Sequence, residues 1–76
     1  MTRYQIALIR RCARAEARIF AKRFNQASFD TYDTLLDECC AEFNIERGSR
    51  AYHRLTQAIS DYAEFMLDRF QTECAA

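Results

Sequence analysis

The sequence predicts an all-α protein, and three observations carry that reading. The 76 residues include no proline and a single glycine, Gly48. Strand-favouring residues are scarce and valine is absent, although half of the chain is hydrophobic. Along three stretches apolar residues recur at steps of three and four, the spacing that lines one face of a helix. The predicted architecture is a small three-helix bundle, a single helical domain over residues 1–76, with helices near 3–25, 29–44 and 48–73.

The first helix opens at Thr2, which with Gln5 three residues later makes a capping-box pattern. Leu8, Ile9, Cys12, Ala15, Ile19 and Phe20 then recur at helical spacing and carry the helix to about Asn25. The polar stretch Asn25-Gln26-Ala27-Ser28 breaks the pattern, and either Ser28 or Asp30 can accept the free N–H groups of a second helix. Phe29, Tyr32, Leu36, Cys39, Cys40 and Phe43 form its stripe, and Asn44 suits a left-handed position at its end. The segment 44–49 is the remaining turn before a third helix. There Tyr52, Leu55, Ile59, Tyr62 and Met66 step by three and four, as in a left-handed bundle seam, and Phe70 follows.

A chain this short buries only roughly 60% of the surface its unfolded form exposes, so self-association would help it. The second helix is the shortest, and the ends of the first and third are expected to project beyond it. A homodimer through helices 1 and 3 would then cover Phe24, Phe65 and Phe70. Phe65 lies about 120° from Ile59 on the helical wheel, which marks either a second contact surface or a widened core face.

Charge is strongly segregated. Residues 1–26 hold seven basic residues against Glu16 alone, and residues 27–46 hold six acids with no base. Arg3, Arg10, Arg14 and Arg18 fall together on the wheel, opposite Leu8, Cys12 and Ile19, and form a predicted basic face. Asp30, Asp33, Asp37, Glu38 and Glu42 form a predicted acidic face on helix 2. Part of the basic charge is expected to turn toward these acids, because helices 1 and 2 are consecutive and antiparallel. Glu16 projects toward the apolar side of helix 1 without an opposite charge three or four residues away. It is expected to make an interhelical polar contact with His53 or Arg54 of helix 3, or with a second subunit.

Several function classes find no footing in the sequence. His53 is the sole imidazole, there is no glycine-rich loop, and no serine or cysteine has a nucleophile context, so no catalytic residue and no cofactor is expected. The four cysteines, at 12, 39, 40 and 74, make no CxxC pair, and no metal site is expected; they read as small core hydrophobes. No run of 18 apolar residues occurs, and Ile6-Ala7-Leu8-Ile9 ends at once in Arg10-Arg11, so a soluble, cytoplasmic protein without membrane association is expected.

Two readings remain. The first is a protein-binding module that docks stoichiometrically on another protein or protein complex through its acidic or its basic face. In size and charge alone the chain is similar to small inhibitors of nucleic-acid-handling complexes, including phage proteins that block host defence. The second is a nucleic-acid-binding regulator that uses residues 40–55, where a short helix, a turn and a helix carrying Arg47, Ser49, Arg50 and His53 have the order of a helix-turn-helix. Against it, Arg50 stands where that motif wants a buried branched residue, and the overall charge is neutral.

Overall fold

The computed structural model describes residues 1–21 and 26–75, with side chains through Leu67. The described residues form three helices, α1 (Arg3–Ala21), α2 (Gln26–Phe43) and α3 (Arg50–Ala75), as the composition predicts. At 1.5 Å per residue α3 is about 39 Å long, which sets the 41 Å long axis of the molecule.

Local chemistry fixes the helix ends. The Thr2 amide donates to Gln5 Oε1 at 2.9 Å and the Gln5 amide to Thr2 Oγ1 at 3.1 Å, a complete capping box. α2 ends in a Schellman motif: Ile45 N–H reaches back to the Cys40 carbonyl, Asn44 N–H to that of Ala41, and Asn44 takes the left-handed conformation with φ of 54°. Ser49 caps α3 by accepting the Tyr52 amide at 3.1 Å, just after Gly48 turns the chain with φ of 87°. The third helix thus starts two residues later than the expected position 48.

Two other boundaries differ from expectation. α2 begins at Gln26, so Ser28 and Asp30 lie inside its first turns and neither starts the helix. Asp30 instead accepts the Gln26 side-chain amide one turn back, at 2.9 Å. α1 is described as far as Ala21, so its expected extension to residue 25 lies outside the described residues.

α1 is the central element. Both α2 and α3 pack along it, whereas α2 and α3 touch each other only sparsely. Cys12 and Cys39, both fully buried in the shared core, place α2 on one flank of α1, and the Glu16–Ser60 hydrogen bond places α3 on the other. To face two partners α1 needs a wide covered surface. At 100° per residue, its covered positions from Ala15 through Leu8, Cys12, Glu16, Ile9 and Ala13 to Ala17 span about 200°. Ala13 and Ala17 are fully buried, and side chains this small let a neighbouring helix approach closely. The core joins them to Leu8, Cys12, Leu36, Cys39, Cys40, Leu55, Ile59 and Ala63. Phe20, expected in the core, is 54% exposed. Among the described residues no helix is long and apolar enough to cross a membrane.

Candidate functional site

The side of α1 that neither neighbour covers carries its arginines. On the wheel Arg10, Arg3, Arg14, Arg18 and Arg11 follow one another within about 100°. All five are exposed, and among the described residues none makes an ion pair. Arg10, Arg14 and Arg18 form one row at steps of four, about 6 Å apart along the axis. Arg3 and Arg11 bracket Ala7 in the next row, and a shallow trough lined by Arg3, Ile6, Ala7, Arg10, Arg11 and Arg14 lies between the rows. Tyr4 and Ile6, both exposed, border the face on either side.

Arg11 completes the face but is missing from the sequence-predicted set. It stands only about 20° beyond Arg18 on the wheel, so the signal was present in the spacing. Like charges at steps of four disfavour the helix by roughly 0.2–0.5 kcal/mol a pair, and Arg3 in the first turn opposes the helix dipole. Only Arg18, in the last turn, is placed favourably for the dipole, so the face as a whole is not explained by the stability of the isolated helix.

The acidic block is arranged differently. Asp30, Asp33 and Asp37 lie on one flank of α2, while Glu38 and Glu42 lie on another, roughly 130° away on the wheel. They do not make one face. Arg47, from the turn between α2 and α3, bonds the Asp33 carboxylate through Nη1 at 3.1 Å, while Nη2 bonds Asp37 at 2.6 Å and also reaches the Asp33 carbonyl at 3.3 Å. This base comes from just beyond the acidic block. Its guanidinium also lies 5.9 Å from the Tyr52 ring centre, which joins the turn to α3. The expected pairing of α1 arginines with α2 acids does not occur among the described residues.

Glu16 stands at the middle of the covered arc of α1 and does reach helix 3, but its partner is Ser60 rather than His53 or Arg54. The Ser60 hydroxyl donates to Glu16 Oε1 at 2.8 Å, while Oε2 is buried without a hydrogen-bond partner. His53 and Arg54 are exposed, and they sit six or seven residues, about 10 Å, before the level of Glu16. His53 instead meets the Tyr52 ring edge-on at 5.9 Å. Burial pushes the Glu16 carboxyl above its ordinary range; the Ser60 hydrogen bond opposes this and nearby Glu64 adds to it.

Of the expected helix-turn-helix residues in 40–55, Arg50 and His53 are exposed, while Arg47 and Ser49 have partners within the fold. α2 and α3 pack on α1 more than on each other, Arg47 is bound to α2, and the Ser49 hydroxyl caps α3. Of the expected oligomer contacts, Phe65 is 56% exposed and lies beside the Tyr62 ring at 6.2 Å. Phe24 and the side chain of Phe70 lie outside the described residues. Cys12, Cys39 and Cys40 are core residues; burial raises all three thiols, Cys12 to about 12. Among the described residues no cluster of three or more His, Cys, Asp or Glu side chains is placed to hold a metal ion.

Compared with protein-family models, with curated proteins and with solved structures, the chain matches none.

Proposed function

We propose that this chain is a small protein-binding module that docks stoichiometrically on an acidic surface of another protein through the outer face of α1. The observation that supports this reading is the set of five exposed arginines on one helix, all without an ion pair among the described residues. Arginine suits the role, because its planar fork binds carboxylates in pairs and is more weakly hydrated than an ammonium group. α1 is also held from two sides, so the face is presented by a supported helix and little backbone order need be gained on binding, the side chains alone being ordered. An inhibitor acting through an acidic face has less support, since Asp33 and Asp37 are already bound by Arg47 and Glu38 and Glu42 point elsewhere.

The test is affinity capture from a native lysate with the wild-type chain and with Arg10→Glu/Arg14→Glu, each with and without nuclease. Retention of one protein complex that survives nuclease and disappears with the charge reversal is the expected result. Loss of every partner on nuclease treatment, together with salt-sensitive binding of free duplex by the purified chain, would assign the arginine face to nucleic acid instead.

A further inference from the structure

The arginine face is not a plain row of charge. Ala7 stands at its centre with Arg3 one turn before it, Arg10 and Arg11 one turn after, and Arg14 two turns after, so four long side chains surround a residue with no side chain beyond Cβ. The stems of these arginines are apolar along three methylene groups. With half-buried Ala7 as floor and Ile6 on one side, they line a shallow, open hollow whose walls are largely apolar and whose rim is cationic, and no acid lines it. A surface built only to attract negative charge has no need of such a hollow. Arginine planes also stack on aromatic rings, so an aromatic side chain in the hollow would meet guanidinium faces as well as methylene groups.

We infer that this hollow is a binding site for an acidic peptide segment, taking one bulky apolar or aromatic side chain over Ala7 while flanking carboxylates bind Arg3, Arg10, Arg11 and Arg14. The inference rests on the docking reading above and specifies its ligand. A nucleic-acid backbone would use the charge and leave the hollow empty. The zero net charge of the chain and the acids of α2 also weigh against a long polyanion.

The test measures binding of three fluorescent probes to the purified chain at fixed salt: a glutamate-rich peptide with a central phenylalanine, the same peptide with alanine there, and a single-stranded oligonucleotide of equal charge. The phenylalanine peptide is expected to bind roughly tenfold more tightly than the alanine one, as burial of one aromatic side chain provides. Ala7→Leu fills the hollow without changing the charge; it should abolish that difference and leave the alanine peptide's affinity unchanged. Circular dichroism confirms that the variant is folded. Equal binding of the two peptides, a preference that survives Ala7→Leu, or tighter binding of the oligonucleotide would each overturn the inference. If both peptides bind equally and Arg10→Glu/Arg14→Glu abolishes both, the hollow is excluded while docking stands. If neither peptide binds and lysate capture is indifferent to the charge reversal, the docking reading itself fails.

Discussion

The Ser60 hydroxyl of α3 donates a 2.8 Å hydrogen bond to Glu16 of α1, a polar link between two helices that otherwise contribute apolar and aromatic side chains to the core. The second carboxylate oxygen of Glu16 is buried without a partner, so the ionised form is poorly served and the carboxyl titrates above its ordinary value. Glu64 of α3 raises it further, and Glu16 in turn helps to raise Tyr32 of α2.

The sign of the pH dependence follows. The unfolded chain releases the Glu16 proton near pH 4.5, whereas the folded chain keeps it to higher pH. Between those limits the unfolded state binds fewer protons, and Glu16 makes the fold less stable as pH rises. Glu16→Gln keeps an acceptor for Ser60 and removes the charge. It should raise Tm at pH 7 and have little effect at pH 4, in thermal melts across that range. Ser60→Ala leaves the carboxylate with no hydrogen bond and should cost about 1–3 kcal/mol at pH 7. An unchanged Ser60→Ala melt would mean that water serves Glu16 as well as the hydroxyl does.

Among the described residues Ile59 is the largest α3 side chain with no exposed surface, and it joins the core cluster that all three helices share. Ile59→Ala should cost about 2–5 kcal/mol and Ile59→Val about 0.5–1.5 kcal/mol. A domain of this length has roughly 4–11 kcal/mol in total, so the alanine variant should be close to unfolding. Leu55→Ala, at the core edge with 9% exposure, belongs at the lower end of the same range. Urea titrations followed by circular dichroism check the order, and equal, negligible losses at both sites would show that α3 is held elsewhere.

The helices and two of their ends were legible in the residues because the signals are local. Thr2 with Gln5, and Asn44 in the left-handed conformation, need nothing beyond their own turns. Ser28 and Asp30 were misleading for the same reason: both can cap a helix, but a helix that already starts at Gln26 takes them into its first turns. The wide covered arc of α1 was hidden because Ala13 and Ala17 carry almost no hydrophobic signal, yet they are buried as completely as Cys12. The partner of Glu16 depends on the axial register of α3 against α1, which periodicity does not contain. The fate of the acidic block was set by the turn between α2 and α3, where the left-handed Asn44 reverses the chain and Arg47 returns to α2 before Gly48 leads into α3.

That turn makes its own prediction. Gly48 has φ of 87°, a conformation that costs an L-residue about 1–2 kcal/mol, while a methyl group added there would meet nothing within 4 Å. Gly48→Ala should therefore destabilise by about that amount through the backbone alone. Arg47→Ala removes exposed pairs and should cost at most about 1 kcal/mol, seen mainly as faster amide exchange in residues 44–49. A Gly48→Ala variant as stable as the wild type would mean that the turn takes another conformation in solution.

The buried thiols give a prediction that reads the α1–α2 seam directly. Cys12 and Cys39 are fully buried and Cys40 nearly so, and burial raises all three thiols, Cys12 to about 12. Reaction with a disulfide reagent needs both a thiolate and access. In a Cys74→Ser chain, which leaves only these three, labelling at pH 8 should be slow in native buffer and should accelerate by orders of magnitude in urea. Because the thiols lie where α2 meets α1, the native rate reports opening of that seam: Ile59→Ala should raise it in proportion to the lost stability, while Arg47→Ala should leave it nearly unchanged. Rapid native labelling of all three would show that α2 separates from α1 far more readily than its packing implies.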